Sequence, residues 1–278
     1  MKELFGFACY SPKEIAGRVE NVGVTKAILP LLSQVALGVL AGGFIGLGAM
    51  FFTLVVSDAN LSFAIARVLG GIAFSLGLIL VVVAGAELFT GNNLLVIATV
   101  ARRIPTAKFI QNLVVIYLAN FIGAVGLAAL VTLSGHSLMG DSAVGKIAVS
   151  IAAGKCALPF GEAFFKGVLC NVLVCLAVWL AMAGRTLTDK VLAIVFPVTA
   201  FVACGFEHSV ANMYFIPLGI FLRESVATVS ATNLDALNWL GLARNLLPVT
   251  LGNLAGGAGM VGLVYWVIYR RGISPAAS

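Results

Sequence analysis

The chain has 278 residues, 61% of them hydrophobic and only 10% charged, with a mean hydropathy of +1.09. That balance excludes a soluble globular protein, and the little sequence left outside apolar runs excludes an appended soluble enzyme module. The net charge of +6 reflects where Lys and Arg flank apolar runs and calls for no nucleic-acid partner.

Residues 1–26 (MKELFGFACYSPKEIAGRVENVGVTK) are mixed polar and lack the apolar stretch of a cleaved signal. They predict a short amphipathic helix on the membrane surface. Six apolar runs follow, at roughly 31–56, 68–98, 109–134, 159–183, 190–222 and 246–269, each able to supply the ~20 residues that cross a bilayer. One side of such a bundle collects eleven Lys and Arg, from Lys2 to Arg271. The other collects five: Arg67, Lys146, Lys155, Arg223 and Arg244. This asymmetry puts both termini in the cytoplasm. It divides a single integral membrane domain, 1–278, into a cytoplasmic N-terminal segment (1–26), a six-span bundle (27–270) and a cytoplasmic tail (271–278). Lys166 falls inside the fourth run and receives no role.

The first run carries LP-x7-GVL from Leu29 to Leu40, and the fourth repeats it from Leu158 to Leu169. The second carries G-x-E-x4-N as Gly85, Glu87 and Asn92, and the fifth as Gly205, Glu207 and Asn212. The third (LANFIGAVGL, from Leu118) and the sixth (LGNLAGGAGM, from Leu251) align at Asn120/Asn253, Gly123/Gly256 and Gly126/Gly259. Three matches in one order predict a duplicated three-span unit. An odd number of spans inverts the second copy and sets a pseudo-two-fold axis in the membrane plane, with the functional site on it at mid-depth. His136, in GHSLMG, reads as a loop residue without a role.

The paired G-x-E-x4-N stretches predict spans two and five broken at mid-membrane, with Gly91, Asn92 and Asn93 in one and Gly205 with the Ser209–Asn212 stretch in the other interrupting the helix. Irregular backbone at that depth must be buried in protein or line a watery cavity. Glu87 and Glu207 are suited to accept hydrogen bonds from the freed amides, with Asn92 and Asn212 bridging donors and acceptors. His208 is either a neutral core histidine held by a neighbour or, at a helix break on the repeat axis, a charge or proton donor facing the cavity. Thr90 beside the first break either binds a passing solute or back-bonds to its own helix. Asn171 lines a pore or joins helices. Lys155 draws anions to a mouth or snorkels. The five cysteines have no metal or redox spacing and read as small apolar filler. With two histidines, neither a three-ligand metal set nor a nucleophile–base–acid arrangement can be built, so no metal, no cofactor and no enzyme activity is expected.

At AGAELFTGNN (84–93), KGVLCNVLVCLAVWLA (166–181), CGFEHSVANM (204–213) and LLPVTLGN (246–253) the chain resembles the formate/nitrite transporter family, and the resemblance covers nearly all of it. It implies an all-α integral membrane protein of the bacterial cytoplasmic (inner) membrane. The six helices form an aquaporin-like inverted 3+3 repeat with the second and fifth broken, and protomers assemble as a homopentamer with one pore each. It implies transport of small monovalent anions (formate, nitrite, hydrosulfide), in some cases with protons. His208 becomes the central pore histidine and Thr90 its partner. Leu88 and Phe201 match an outer constriction, and Phe74, Leu78 and Phe89 an inner one. Asn171 and Val174 line the path, and Lys155 is a vestibule lysine. The text GGIAFSLGLILVVVAGAELFT (70–90) and RTLTDKV (185–191) leans to the formate-channel branch, whereas Gly91 and CALPF (156–160) are closer to nitrite-channel members. A neutral-solute channel of the aquaporin type is the alternative the inverted repeat alone allows, although paired Asn-Pro-Ala motifs are absent.

Overall fold

The computed structural model describes residues 9–225 and 233–272, and no β-strand occurs among them. The first eight residues of the expected N-terminal segment and the last six of the tail lie outside the described residues. The helices are α1 (Pro12–Ala27), α2 (Leu31–Val56), α3 (Phe63–Ile79, running on as a π-helical stretch Leu80–Gly85), α4 (Phe89–Asn92), α5 (Val96–Val100), α6 (Thr106–Leu133), α7 (Ala143–Cys156), α8 (Phe160–Ala183), α9 (Leu187–Ala203), α10 (Ser209–Leu222), α11 (Trp239–Leu254) and α12 (Val264–Tyr269). α11 and α12 join through a π-helical segment, Ala255–Leu263. Grouped as spans, α2, α3 with α4–α5, α6, α8, α9 with α10, and α11–α12 give the expected six-span, inverted 3+3 all-α fold. Leu31–Val56, Phe63–Gly85, Thr106–Leu133, Phe160–Ala183 and Trp239–Tyr269 are each long and apolar enough to cross a membrane, whereas Phe89–Val100 and Ser209–Leu222 are shorter apolar helices.

The repeat governs packing. α2 packs on α3 and α6, α8 packs on α9 and α11, and the two halves meet where α3 crosses α9. Contact is close because glycine sits where nothing larger fits: a Cβ at Gly123 would collide with the carbonyl of Val39, and one at Gly256 with the carbonyl of Val168. These two collisions are the same contact seen in each copy, the small-residue approach that lets membrane helices gain dispersion energy.

Both breaks fall where the sequence puts them, but the cause differs. Gly85 and Gly205 take left-handed φ values of +82° and +72°, which cost glycine nothing. The following amides close back five residues, Ala86 N to Val81 O (2.9 Å) and Phe206 N to Phe201 O (3.0 Å), ending each first half-helix in a Schellman-type turn. Gly91, Asn92 and the Ser209–Asn212 stretch, expected to interrupt the helices, instead begin the second half-helices, with Asn93 opening the 3-10 turn that continues the first. Their asparagines bond tertiary partners or, at Asn93, the carbonyl of Phe89 (2.8 Å), so they do not unwind their own turns.

One helix was not foreseen. α7 lies where the sequence reading had only the end of a loop, and it buries Val144, Ala148, Val149, Ala152 and Ala153 against α10. Shifted by the first-repeat offset it coincides with α1, which buries Ile15, Ala16, Val19 and Gly23 against α5 and its neighbours. Each copy therefore opens with a short helix ending at a lysine, Lys26 or Lys155, just before the LP motif. α1 is pinned rather than merely surface-bound: its buried Glu20 accepts from Arg103 Nη1 at 3.0 Å and from Arg270 Nε at 2.7 Å.

Candidate functional site

The gaps between half-helices, residues 86–88 and 206–208, expose backbone groups that require partners. Asn120 and Asn253, on spans three and six, meet that demand identically. The Phe89 amide donates to Asn120 Oδ1 at 2.9 Å, and Asn120 Nδ2 donates to the carbonyls of Gly38 (2.8 Å) and Glu87 (2.9 Å). In the other copy the Ser209 amide donates to Asn253 Oδ1 at 3.0 Å, and Asn253 Nδ2 donates to Gly167 O (2.8 Å) and Glu207 O (3.0 Å). Two further gap amides, Glu87 N and Glu207 N, reach Leu37 O (3.2 Å) and Lys166 O (3.3 Å).

The glutamates therefore do not brace the freed amides, as the sequence reading expected of them. Each anchors a side-chain network instead. Glu87 pairs with Lys26 at 3.0 Å and accepts from Asn92 Nδ2 at 2.7 Å, and Asn92 also donates to Asn112 Oδ1 at 2.9 Å. Glu207 pairs with Lys155 at 2.8 Å and accepts from Asn212 Nδ2 at 2.6 Å, and Asn212 also donates to Asn245 Oδ1 at 2.7 Å. Lys26, Asn112, Asn120, Asn245 and Asn253 were missed or left without a role. The repeat offsets pair them residue for residue, and that was the signal available.

The symmetry fails at one place, the residue that starts each second half-helix. Leu88 and His208 hold the same extended conformation (φ −107° and −110°), but only the imidazole is polar. His208 Nδ1 accepts from the Ala211 amide at 3.0 Å, and Nε2 lies 2.9 Å from Thr90 Oγ1. Because Nδ1 is occupied as an acceptor, the neutral ring carries its proton on Nε2 and donates it to Thr90. The ring is thus satisfied at each nitrogen, as the core reading has it, and it also lines a cavity.

Two cavities flank this junction. One, of ≈290 Å³, opens on the side away from the termini and is lined by Phe74, Phe201, Lys155, Glu207 and His208, with Arg67 and Lys166 further out. The other, of ≈380 Å³, lies against α1 and is lined by Leu78, Leu88, Glu87, Asn92 and Lys26. The divide falls within the single α3 turn between Phe74 and Leu78. This regroups the constrictions: Phe74 pairs with Phe201, ring centroids 5.8 Å apart and edge to face, and Leu78 with Leu88. The packing of α3 on α9 brings the two rings together. Phe89 joins neither group, because it heads α4 and turns to Tyr117 on α6 at 4.9 Å. Phe201 lies parallel to the His208 ring at 6.0 Å, an apolar lid beside a polar ring.

Asn171 and Val174 are fully enclosed and lie on neither cavity wall. Asn171 Nδ2 donates to the carbonyls of Thr90 (3.3 Å) and Asn253 (2.7 Å), tying the two copies together. Lys166 forms a 2.6 Å pair with Glu162 one turn away. Among the described residues, no group of three His, Cys, Asp or Glu could hold a metal ion.

Comparison with known proteins agrees with this architecture. The family model described as formate/nitrite transporter matches residues 13–267. The formate channel FocA of Escherichia coli K12 is 40% identical over 271 residues, covering 94% of each chain. A solved pentameric formate channel with formate bound superposes with a TM-score of 0.79 at 36% identity, covering 86% of this chain and 97% of its own. An ion channel of the same family gives 0.81 at 34% identity, covering 92% and 98%. These relatives are channels and transporters, not enzymes. A duplicated, twice-broken bundle with a model match over nearly its whole length leaves one conclusion: the chain belongs to the formate/nitrite transporter family.

Proposed function

We propose that the protein is a channel for small monovalent anions of weak acids, formate foremost, acting as a single channel domain within a homopentamer of the bacterial inner membrane with both termini cytoplasmic. The observation that carries this reading is the 2.9 Å contact between His208 Nε2 and Thr90 Oγ1, set between two cavities of ≈290 and ≈380 Å³ whose facing walls are Phe and Leu. Formate is favoured because relatives bear that name and one holds it in its structure.

Stripping an ion of water between Phe74, Phe201, Leu78 and Leu88 is costly. An anion reaching the ring competes with Thr90 for the Nε2 proton as a hydrogen bond, which replaces part of its hydration. A proton delivered there through the cavity water and His208 converts the anion to its neutral acid, which crosses the apolar divide, so flux is proton-linked. Asn171 and Val174 hold the Thr90 side of this arrangement. Lys155 offers a donor at the mouth.

Competitive flux of formate, nitrite and hydrosulfide in reconstituted vesicles tests both parts, at a mildly acid and a mildly alkaline pH. Formate is expected to pass fastest, more so on the acid side, and His208→Asn to flatten that dependence. Preference for nitrite or hydrosulfide overturns the substrate. An unchanged profile in His208→Asn overturns the proton role, and glycerol passing as readily as formate overturns anion conduction.

A further inference from the structure

The wall of the cavity away from the termini carries three cations, and two are matched by a carboxylate. Lys155 is 2.8 Å from Glu207, and Lys166 is 2.6 Å from Glu162. Arg67 is not: among the described residues no carboxylate lies within ion-pair distance of it. Its Nη2 and Nε donate instead to the carbonyls of Val202 (2.7 Å) and Ala203 (3.1 Å). Those are the last carbonyls of half-helix α9, the end that carries about half a negative charge and would otherwise face an arriving anion. Arg67 covers that end and leaves positive charge over, with its guanidinium 5.7 Å above the Phe52 ring at the cavity edge.

The cavity against α1 has no counterpart. Among the described residues its one lysine is matched by Glu87, and the rest of its wall is apolar or amide. The repeat offset that pairs Glu87 with Glu207 pairs Arg67 with Leu187, a residue without charge.

We infer that Arg67, rather than Lys155, sets the positive potential of the mouth away from the termini, and that the channel consequently takes up anions more tightly from that side than from the other. This rests on the anion-channel reading above. A guanidinium stays charged at all working pH values, so the asymmetry is independent of pH, which separates it from any effect of His208. A unit charge near the mouth, in surroundings between bulk water and protein surface, changes local anion occupancy by about two- to fivefold.

The test is initial formate flux against concentration, with formate on one side at a time, in right-side-out and inverted vesicles. In the wild type, half-saturation is expected at a lower concentration from the Arg67 side, and the advantage shrinks as an impermeant salt raises ionic strength. Arg67→Gln keeps donors for the carbonyls but loses the charge, and should raise half-saturation two- to fivefold from that side only. Arg67→Lys keeps the charge and should stay near wild type. Equal half-saturation from both sides in the wild type overturns the inference without any variant. So does an Arg67→Gln protein that matches wild type, or an Arg67→Lys protein as impaired as Arg67→Gln, which would assign Arg67 to capping. A wild type that passes none of the anions removes the channel reading itself.

Discussion

Replacing Asn253 by Ala removes one side chain, leaves the Ser209 amide and the Glu207 carbonyl at the break without partners, and takes a second donor from the Gly167 carbonyl inside α8. Asn253 has no exposed surface, so water does not stand in. Two estimates compete. Averaged over membrane proteins, a side-chain hydrogen bond is worth ~0.6 kcal/mol, giving about 2 kcal/mol for three. Orphaned buried groups cost about 1–3 kcal/mol each, giving about 4 kcal/mol for the two at mid-range. The second applies here, because these groups sit where the helix has ended and cannot find intrahelical partners. A loss of about 3 kcal/mol or more is expected as a clear drop in the unfolding temperature of detergent-solubilised protein, followed by circular dichroism. Gln111→Ala, which loses an exposed contact to Lys108, is the control and should stay within about 0.5 kcal/mol of wild type. Asn120→Ala should match Asn253→Ala, since it orphans the equivalent pair, the Phe89 amide and the Glu87 carbonyl, in the other copy. Asn253→Asp, which keeps the acceptor but turns oxygen toward two carbonyls, should be no better than Ala. An Asn253→Ala protein that melts with the Gln111→Ala control refutes the claim that the spans-three-and-six asparagines hold the breaks open.

Thr90→Val nearly preserves shape but removes the partner of His208 Nε2; formate flux should keep a measurable rate with an altered pH profile, and an unaltered profile counts against the pair. Glu20→Ala deletes the acceptor that joins α1 to Arg103 and Arg270. Breaking such a buried pair costs about 3–5 kcal/mol, so hydrogen exchange in α1 should rise selectively over that in α6, and uniform exchange argues against a pinned helix. The Ser11 hydroxyl and amide hold the Glu14 carboxyl below the usual carboxylate range. Its contribution to the start of α1 is therefore present above the unfolded-state pKa and is lost as pH falls through the lower folded value. Amide protection of residues 14–16 should decline with acid in the wild type and be low throughout in Ser11→Ala; protection that is independent of pH in the wild type shows the cap to be idle.

Hydropathy alone determined the six spans, because partition between lipid and water depends on composition along about 20 residues and on little else. Internal similarity determined the inverted repeat, and Gly85 and Gly205 marked both breaks, since few other residues accept that backbone. The His208–Thr90 pair was legible through the family's motifs. What the tertiary structure decided was which polar atoms meet. Asn120 lies 31 residues from the amide it receives, and Asn253 lies 44 from its own; nothing local distinguishes such an asparagine from one that merely glues helices. α7 escaped notice because a short helix of small residues that buries one stripe against α10 has neither the length nor the hydropathy of a span. The pairing of Phe74 with Phe201 followed from the packing of α3 on α9, and that of Leu78 with Leu88 from the break that turns span two back toward α3. Charge balance was settled in three dimensions as well: Lys155 and Lys26 look like free cations in the sequence, and only folding brings each to a glutamate, leaving Arg67, of the three cations on the wall of the cavity away from the termini, without a carboxylate among the described residues.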